Sequence, residues 1–412
     1  MKLRPAAGYE LLGHRPFREL WAANLVFSLS SVMLLLASAW LMTSMTTSPL
    51  MVASIQTAGS LPFFFFSIPF GMLSDRFGHR KLLVIAHSWM LAAAGVLALI
   101  TWRSQVTPWL LLSLLGLIGV GAAIEESAWK PLLLDVVPPD AAVAAISLNS
   151  MSNKIGQAAG PMLGSSLMDV AGAATVFATK ALSHFAMIIA LLRAPQGAAG
   201  ESRQQQPSVI RRSFREGWTL LRQSREIYGP LIRCAAFIIP NAGMIALLPI
   251  DARENIQTEL IGFGELLTSL GVGSFVALSL MPWLRNRFRV GPLSSVALAV
   301  FALAVLGLSQ WDSMLADAVF LFVAGFAWSI LGISHQVSVL TAAPDGMRGL
   351  ITSFYVLTVQ GSFAAGSFLF GVIAQQVGCD NSIMLAGFVA MAGLLLVRRF
   401  PLSDARQNGV AA

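Results

Sequence analysis

The chain has 412 residues, of which 56% are hydrophobic and only 11% charged, with a net charge of +7. A water-facing domain carries about 25% charged residues, so this composition excludes an ordinary soluble protein and leaves lipid as the solvent. The positive balance does not point to nucleic acid, because the basic residues fall at the ends of apolar runs.

The first apolar run, 20–42, is too long for a signal core and no small-residue cleavage site follows it, so it reads as a membrane helix. Crossing the hydrocarbon takes about 20 apolar residues. On that measure further helices are expected at 50–73, 82–102, 108–130, 141–168 and 174–193, then at 229–250, 257–281, 291–310, 313–335, 346–375 and 380–398. The fold class is therefore all-α integral membrane, with twelve transmembrane helices in two pseudo-symmetric six-helix halves, 1–193 and 229–412. Between them lies a linker, 194–228. Its part from Gln196 to Pro207 has a flexible composition. Beyond it, Val209, Phe214, Trp218 and Leu221 fit one face of an amphipathic helix at the membrane surface.

Lysine and arginine set the orientation. They crowd the N-terminus, the loops after helices 2, 4, 8 and 10, the linker and the C-terminus, whereas the opposite loops hold little beyond Arg103, Lys180 and Arg253. The positive-inside bias places both termini of a multi-pass membrane protein in the cytoplasm.

A weak internal repeat supports two halves. Leu73-Ser74-Asp75-Arg76-Phe77 follows helix 2 and Leu284-Arg285-Asn286-Arg287-Phe288 follows helix 8; Pro139-Asp140 precedes helix 5 and Pro344-Asp345 precedes helix 11. Repeated halves are a known transporter plan. The most specific motif runs from Gly71 through Asp75, Arg76, Gly78 and Arg80 to Lys81. Glycine permits a tight turn, an aspartate suits a helix N-terminus, and arginines can pair with carboxylates on neighbouring helix ends. Such a cluster can lock one conformation and break in another. This loop resembles the signature loop of the major facilitator superfamily, and the likeness covers almost the whole chain. The second copy carries Asn286 in place of the aspartate, so a charge latch would be strong in the first half and weak in the second.

Helix 5 carries Gly156, Gly160, Pro161 and Gly164. Small residues four apart leave a groove for a close neighbour, and proline can bend the helix. This pattern resembles the helix 5 motif of the superfamily's exporters, with Ser165 replacing the final glycine. The run from Leu148-Asn149-Ser150 to Gly160-Pro161 is similar to the branch that contains the enterobactin exporter and macrolide efflux proteins. The resemblance implies outward transport of a siderophore- or drug-like molecule by drug/proton antiport, and a monomer.

Ionisable groups inside apolar helices are costly and become functional candidates by default. Glu125, Lys154 and Glu265 are the candidates for proton coupling; Lys180 and Arg233 fall nearer helix ends. Glu126 and Lys130, four apart, can pair on one face, which leaves Glu125 to face a cavity or Lys154. A carboxylate out of water holds its proton more tightly, and a nearby cation opposes this. A Glu125–Lys154 pair could thus exchange proton binding for cation pairing, or it could simply hold helices 4 and 5 together. His184 and His335 are weaker candidates, with no visible partner. Asn24, Gln56, Asn149, Asn153, Asn241 and Gln360, with Trp328 and Phe354, are candidates to line a substrate cavity, each with packing or backbone satisfaction as the competing role.

The expected partners are a small-molecule substrate, protons and the lipid bilayer, with no nucleic acid. No metal spacing links Cys234, Cys379 or the histidines, and no cofactor loop is visible. A membrane enzyme finds no support in a metal motif, phosphate loop or nucleophile elbow, so the chain is read as no enzyme. An importer or facilitator on the same fold, and a receptor that binds without moving its ligand, stay open.

Overall fold

The structure is a computed structural model that describes residues 11–195, 219–311, 313–344, 347–400 and 402, apart from the side chains of residues 68, 71, 72, 74–76, 139, 348 and 398. The linker's Gln196–Pro207 segment, together with Val209, Phe214 and Trp218, lies outside the described residues, as does Asp345.

Helices account for almost all of the described chain. In order they are α1 (Arg15–Met45), α2 (Pro49–Phe77), α3 (His79–Trp102) and α4 (Pro108–Val136), then a helical stretch, Ala142–Arg193. That stretch has 52 residues, about 78 Å at 1.5 Å per residue, more than twice the hydrocarbon thickness. It divides at Gly172, whose φ of 78° and ψ of 165° are not helical. The arms, 142–171 and 173–193, are α5 and α6. The second half holds α7 (Arg225–Glu254), α8 (Leu260–Arg287), α9 (Val290–Leu308), α10 (Met314–Ala342), α11 (Arg348–Val377), α12 (Cys379–Ala392) and its short continuation α13 (Leu394–Arg399). Among the described residues eleven helical stretches are long and apolar enough to cross a membrane. Dividing one of them at Gly172 gives the twelve-helix layout of two six-helix halves.

The repeat extends to the backbone. Gly172 joins α5 to α6, and Gly378, with φ 90° and ψ 165°, joins α11 to α12. Each turns the chain back with a single residue in a conformation open essentially to glycine alone. Gly78, at φ 84°, does the same between α2 and α3.

By its contacts the chain forms two units. One comprises 1–41 and 61–206, the other 42–60 and 207–412. In the first, α3 packs on α4 and on the α5–α6 stretch. In the second, α7 packs on α11, and α10 on α8 and α9. The first part of α2 belongs to the second unit. There Thr57 Oγ1 donates to the Ala364 carbonyl at 3.2 Å, and Gly371 lies against Leu50 and Ala53.

Candidate functional site

Within the first unit lies a cavity of about 400 Å³. From α1 come Asn24, Phe27 and Ser31, from α2 Phe63, from α4 Ala122, Glu125, Glu126, Trp129 and Lys130, and from α5 Asn149 and Asn153. The spacings of three and four place each set on one helix face.

The junction of α1 and α5 builds one wall. Gly156 is so close to Ser28 that a Cβ would stand 2.9 Å from its backbone carbon; at Gly160 it would meet Val32 Cβ at 2.8 Å, and at Gly164 the Met33 Cα at 3.0 Å. Pro161 is buried beside them. The exporter-like motif is thus where α1 crosses α5. Further along the same α5 stripe the contact turns polar. Asn24 Nδ2 donates to Asn149 Oδ1 at 3.1 Å, Trp129 Nε1 donates to the same oxygen at 2.7 Å, and Ser28 Oγ donates to Asn153 Oδ1 at 2.8 Å. The amide oxygens are engaged, which leaves the Nδ2 donors of both asparagines for a bound molecule.

Glu125 lines the cavity half-buried, while Glu126 takes Lys130 Nζ at 2.8 Å, as the four-residue spacing implies. The cation acting on Glu125 is Lys180. Lys180 is 2% exposed; its ammonium donates to Ser31 Oγ at 2.7 Å and lies 3.5 Å from both the Phe27 carbonyl and the Phe27 ring centroid. It stands directly behind the cavity wall formed by Phe27 and Ser31. Of the two surroundings open to Glu125, the cavity or Lys154, the structure shows the cavity, with Lys180 as the cation acting on it. Lys154 Nζ donates to Gln157 Oε1 at 3.0 Å along its own helix. Lys180 was misplaced because it lies seven positions into α6, about 10 Å along its axis, where hydropathy alone cannot separate a buried lysine from one reaching for water.

The signature loop is only partly described. Gly78 makes the turn, Lys81 is exposed, and the Arg80 guanidinium donates to the Leu192 carbonyl at the end of α6. The expectation was an arginine paired with a carboxylate; the observed partner is a helix C-terminus, whose dipole also favours a cation. Gly71, Asp75 and Arg76 lie in the last turns of α2, their side chains outside the described residues.

The remaining candidates belong to the second unit. Gln56, Trp328 and Gln360 are half-buried, and Glu265 is exposed near the start of α8. Phe354 packs in an apolar cluster with Ile227, Leu231, Val339 and Ile351, the packing role weighed against its reading as a cavity residue. Asn241 is fully buried and neither amide atom has a hydrogen-bond partner. A cavity of about 330 Å³ in this unit is lined instead by Thr43, Thr46, Thr47, Val52, Ile250, Arg253 and Glu254. Three buried groups stand out beyond the leading candidates: His87, absent from the sequence candidates, with His184, which meet in the first unit, and Arg233, whose Nη2 donates to Ser294 Oγ at 2.9 Å. Single polar residues in apolar runs give no sign of which helix they face. Among the described residues no group of three or more His, Cys, Asp or Glu side chains could hold a metal ion.

Two repeated helical units, with a polar and charged cavity enclosed by apolar spans, make this protein a membrane transporter. Solved structures share the fold. The xylose transporter XylE from E. coli, in an inward open conformation, superposes with a TM-score of 0.69 at 14% identity over 94% of this chain and 98% of that one. The nucleoside transporter NupG gives 0.71 at 12% identity over 93% and 98%. Macrolide efflux protein A of Streptococcus pyogenes is 20% identical over 381 residues, 90% of this chain and 92% of the relative. The staphyloferrin A transporter of Staphylococcus aureus is 20% identical over 336 residues, 79% and 81% of the two chains. A family model described as transmembrane secretion effector matches residues 6–412. The chain belongs to that family, within the major facilitator superfamily, and the resemblance to its exporter branch is borne out.

Proposed function

We propose that this protein exports a small organic molecule from the bacterial cytoplasm by proton antiport, working as a monomer in the inner membrane with both termini inside. The observation that carries this reading is Glu125, a carboxylate on the wall of a membrane-embedded cavity, acted on by the buried ammonium of Lys180 behind the same wall.

The chemistry follows from the arrangement. When Glu125 is ionised, Lys180 compensates it, and the cavity carries little net charge. When a proton arrives from the outer side, Glu125 becomes neutral and Lys180 falls back on Ser31 and the Phe27 ring. A substrate entering from the inner side contacts the same wall, so substrate and proton occupy it in alternation, and rocking of the repeated halves exposes it to each side in turn. The cavity offers the rings of Phe27, Phe63 and Trp129 to an apolar body, and amide donors and a carboxylate to polar groups. That mixture suits an organic molecule with both an apolar body and polar groups; the relatives' names point to a macrolide and to staphyloferrin A as the two probes to try.

The test uses inverted membrane vesicles energised with an inward-acid gradient. A labelled macrolide and a labelled staphyloferrin serve as probes. Uptake of either that collapses with a protonophore supports the reading. Uptake that persists after the gradient is removed, or movement only in the opposite direction, would overturn it.

A further inference from the structure

Asn24 on α1 and Asn149 on α5 line the first-unit cavity and are only 3% and 7% exposed. Chemistry fixes how both amides point. The indole N–H of Trp129 can only donate, so the Asn149 atom 2.7 Å from it is the oxygen. That oxygen also accepts at 3.1 Å from Asn24, and an amide donates only through its nitrogen. Asn149 Nδ2 and Asn24 Oδ1 are the ends left over, and neither has a hydrogen-bond partner among the described residues. Because the two amides are joined at one hydrogen bond, a spare donor and a spare acceptor are neighbours on the cavity wall. Buried polar groups left unpaired are costly, and a bound molecule can satisfy both.

Charge restricts what that molecule is. The ionisable residues of the lining are Glu125, Glu126 and Lys130. Glu126 is paired with Lys130 at 2.8 Å, and Glu125 is acted on by Lys180. With Glu125 ionised, the state that receives substrate, the four charges cancel in pairs. A cationic or anionic substrate would leave one charge uncompensated among apolar helices. The Phe27 ring, a surface on which an organic cation could rest, already holds the Lys180 ammonium 3.5 Å from its centre and packs against the imidazoles of His87 and His184.

We infer that the Asn24–Asn149 pair reads a neutral, hydroxyl-bearing face of the substrate, and that Asn149 is a specificity-determining residue of the cavity. This deepens the export reading above and rests on its placing the substrate in this cavity. A hydroxyl donates and accepts at a single oxygen. Asn149 Nδ2 donates to it and Asn24 Oδ1 accepts its hydrogen, at one hydroxyl or at two on adjacent carbons. A further hydroxyl donates to Glu125, and a donated hydrogen bond is stronger to the ionised carboxylate than to the neutral acid. An uncharged molecule thereby favours the proton-free state. Phe63 and Trp129 meet its carbon skeleton. The substrate class is an uncharged polyhydroxylated organic molecule with an apolar body, in preference to an organic cation or a polycarboxylate.

Equilibrium binding to the purified full-length protein tests this. The probes are erythronolide B, a neutral macrolide lactone with several hydroxyls, its O-methylated derivative, the cation tetraphenylphosphonium and the polyanion staphyloferrin A. Wild type is expected to bind erythronolide B at least about tenfold more tightly than the methyl ether, since a site built around hydroxyls rejects an analogue without them, and more tightly than either ion. Equal affinity for the methyl ether, tighter binding of either ion, or binding of none of the four overturns the inference. Asn149→Asp keeps the oxygen that accepts from Trp129 and Asn24 and loses the Nδ2 donor. Its affinity for erythronolide B is expected to fall at least about tenfold while that for tetraphenylphosphonium does not fall. Unchanged affinity for the lactone, or an equal loss for both probes, overturns the role of Asn149. Should that variant not fold, the methyl-ether comparison on wild type decides alone. Binding with the expected preference but without proton release removes the antiport reading and leaves this inference standing.

Discussion

The ammonium of Lys180 stands 3.5 Å from the centre of the Phe27 ring, on the far side of the wall whose cavity face is shared with Glu125. A buried lysine without a carboxylate in direct contact is costly, and here the ring face, Ser31 Oγ and the electrostatic reach of Glu125 together offset that cost.

Replacing Lys180 with methionine leaves Glu125 uncompensated. Lys180→Met is expected to lower stability by about 1–3 kcal/mol, less than for a wholly buried pair because Glu125 is open to the cavity. Adding Glu125→Gln should recover part of that loss. Thermal unfolding in detergent of the two single variants and the double variant checks the coupling. Strictly additive losses would dissociate the two residues.

The crossing of α1 and α5 leaves no room for a methyl group at Gly160, where an added Cβ would meet Val32 Cβ at 2.8 Å. Gly160→Ala should cost about 1–3 kcal/mol by overpacking and slow transport. Gly95→Ala in α3, where nothing lies within 4 Å, should be neutral or stabilising. Melting temperatures of the two variants decide between close packing and simple helix propensity.

Gly172 and Gly378 occupy the same backbone conformation at equivalent places in the two halves. Nothing lies within 4 Å of an added Cβ at either position, so the cost of alanine there is conformational, about 1–3 kcal/mol each. The losses should be similar and additive in the double variant, read from the same melts. A large loss at only one site would show that the two turns are not equivalent.

Trp129 and Asn24 both donate to Asn149 Oδ1. Trp129→Phe removes one donor while keeping a ring on the cavity wall. The amide then loses part of its orientation, and, if the macrolide probe occupies this cavity, its affinity should fall by roughly 3- to 10-fold, about 1 kcal/mol for one hydrogen bond. Equilibrium binding to the purified variant measures it, and an unchanged affinity would place the substrate elsewhere.

Apolar run length made the helices legible, and the repeat at 73–77 and 284–288 made the two halves legible. The α5 glycines announced a close crossing, and their partner proved to be α1. Glu125 was identified by its cost in lipid, and the i to i+4 spacing of Glu126 and Lys130 separated it from its neighbour. What sequence could not supply was helix rotation. Lys154 is nearer in the chain to Glu125 than Lys180 is, yet Lys180 faces the right way, and a single His87 in a run of apolar residues gives no hint of His184 across the bundle. Phe354 packs in the core for the same reason that sequence left its role open, since an aromatic ring packs equally well on either face of its helix.

The central claim is that one carboxylate in the first-unit cavity trades a proton for the substrate. The most direct measurement is proton release from purified protein in weakly buffered detergent on addition of saturating macrolide. Wild type should release about one proton per molecule and Glu125→Gln none, since binding and protonation at one site are linked. Equal release from both proteins would contradict the account.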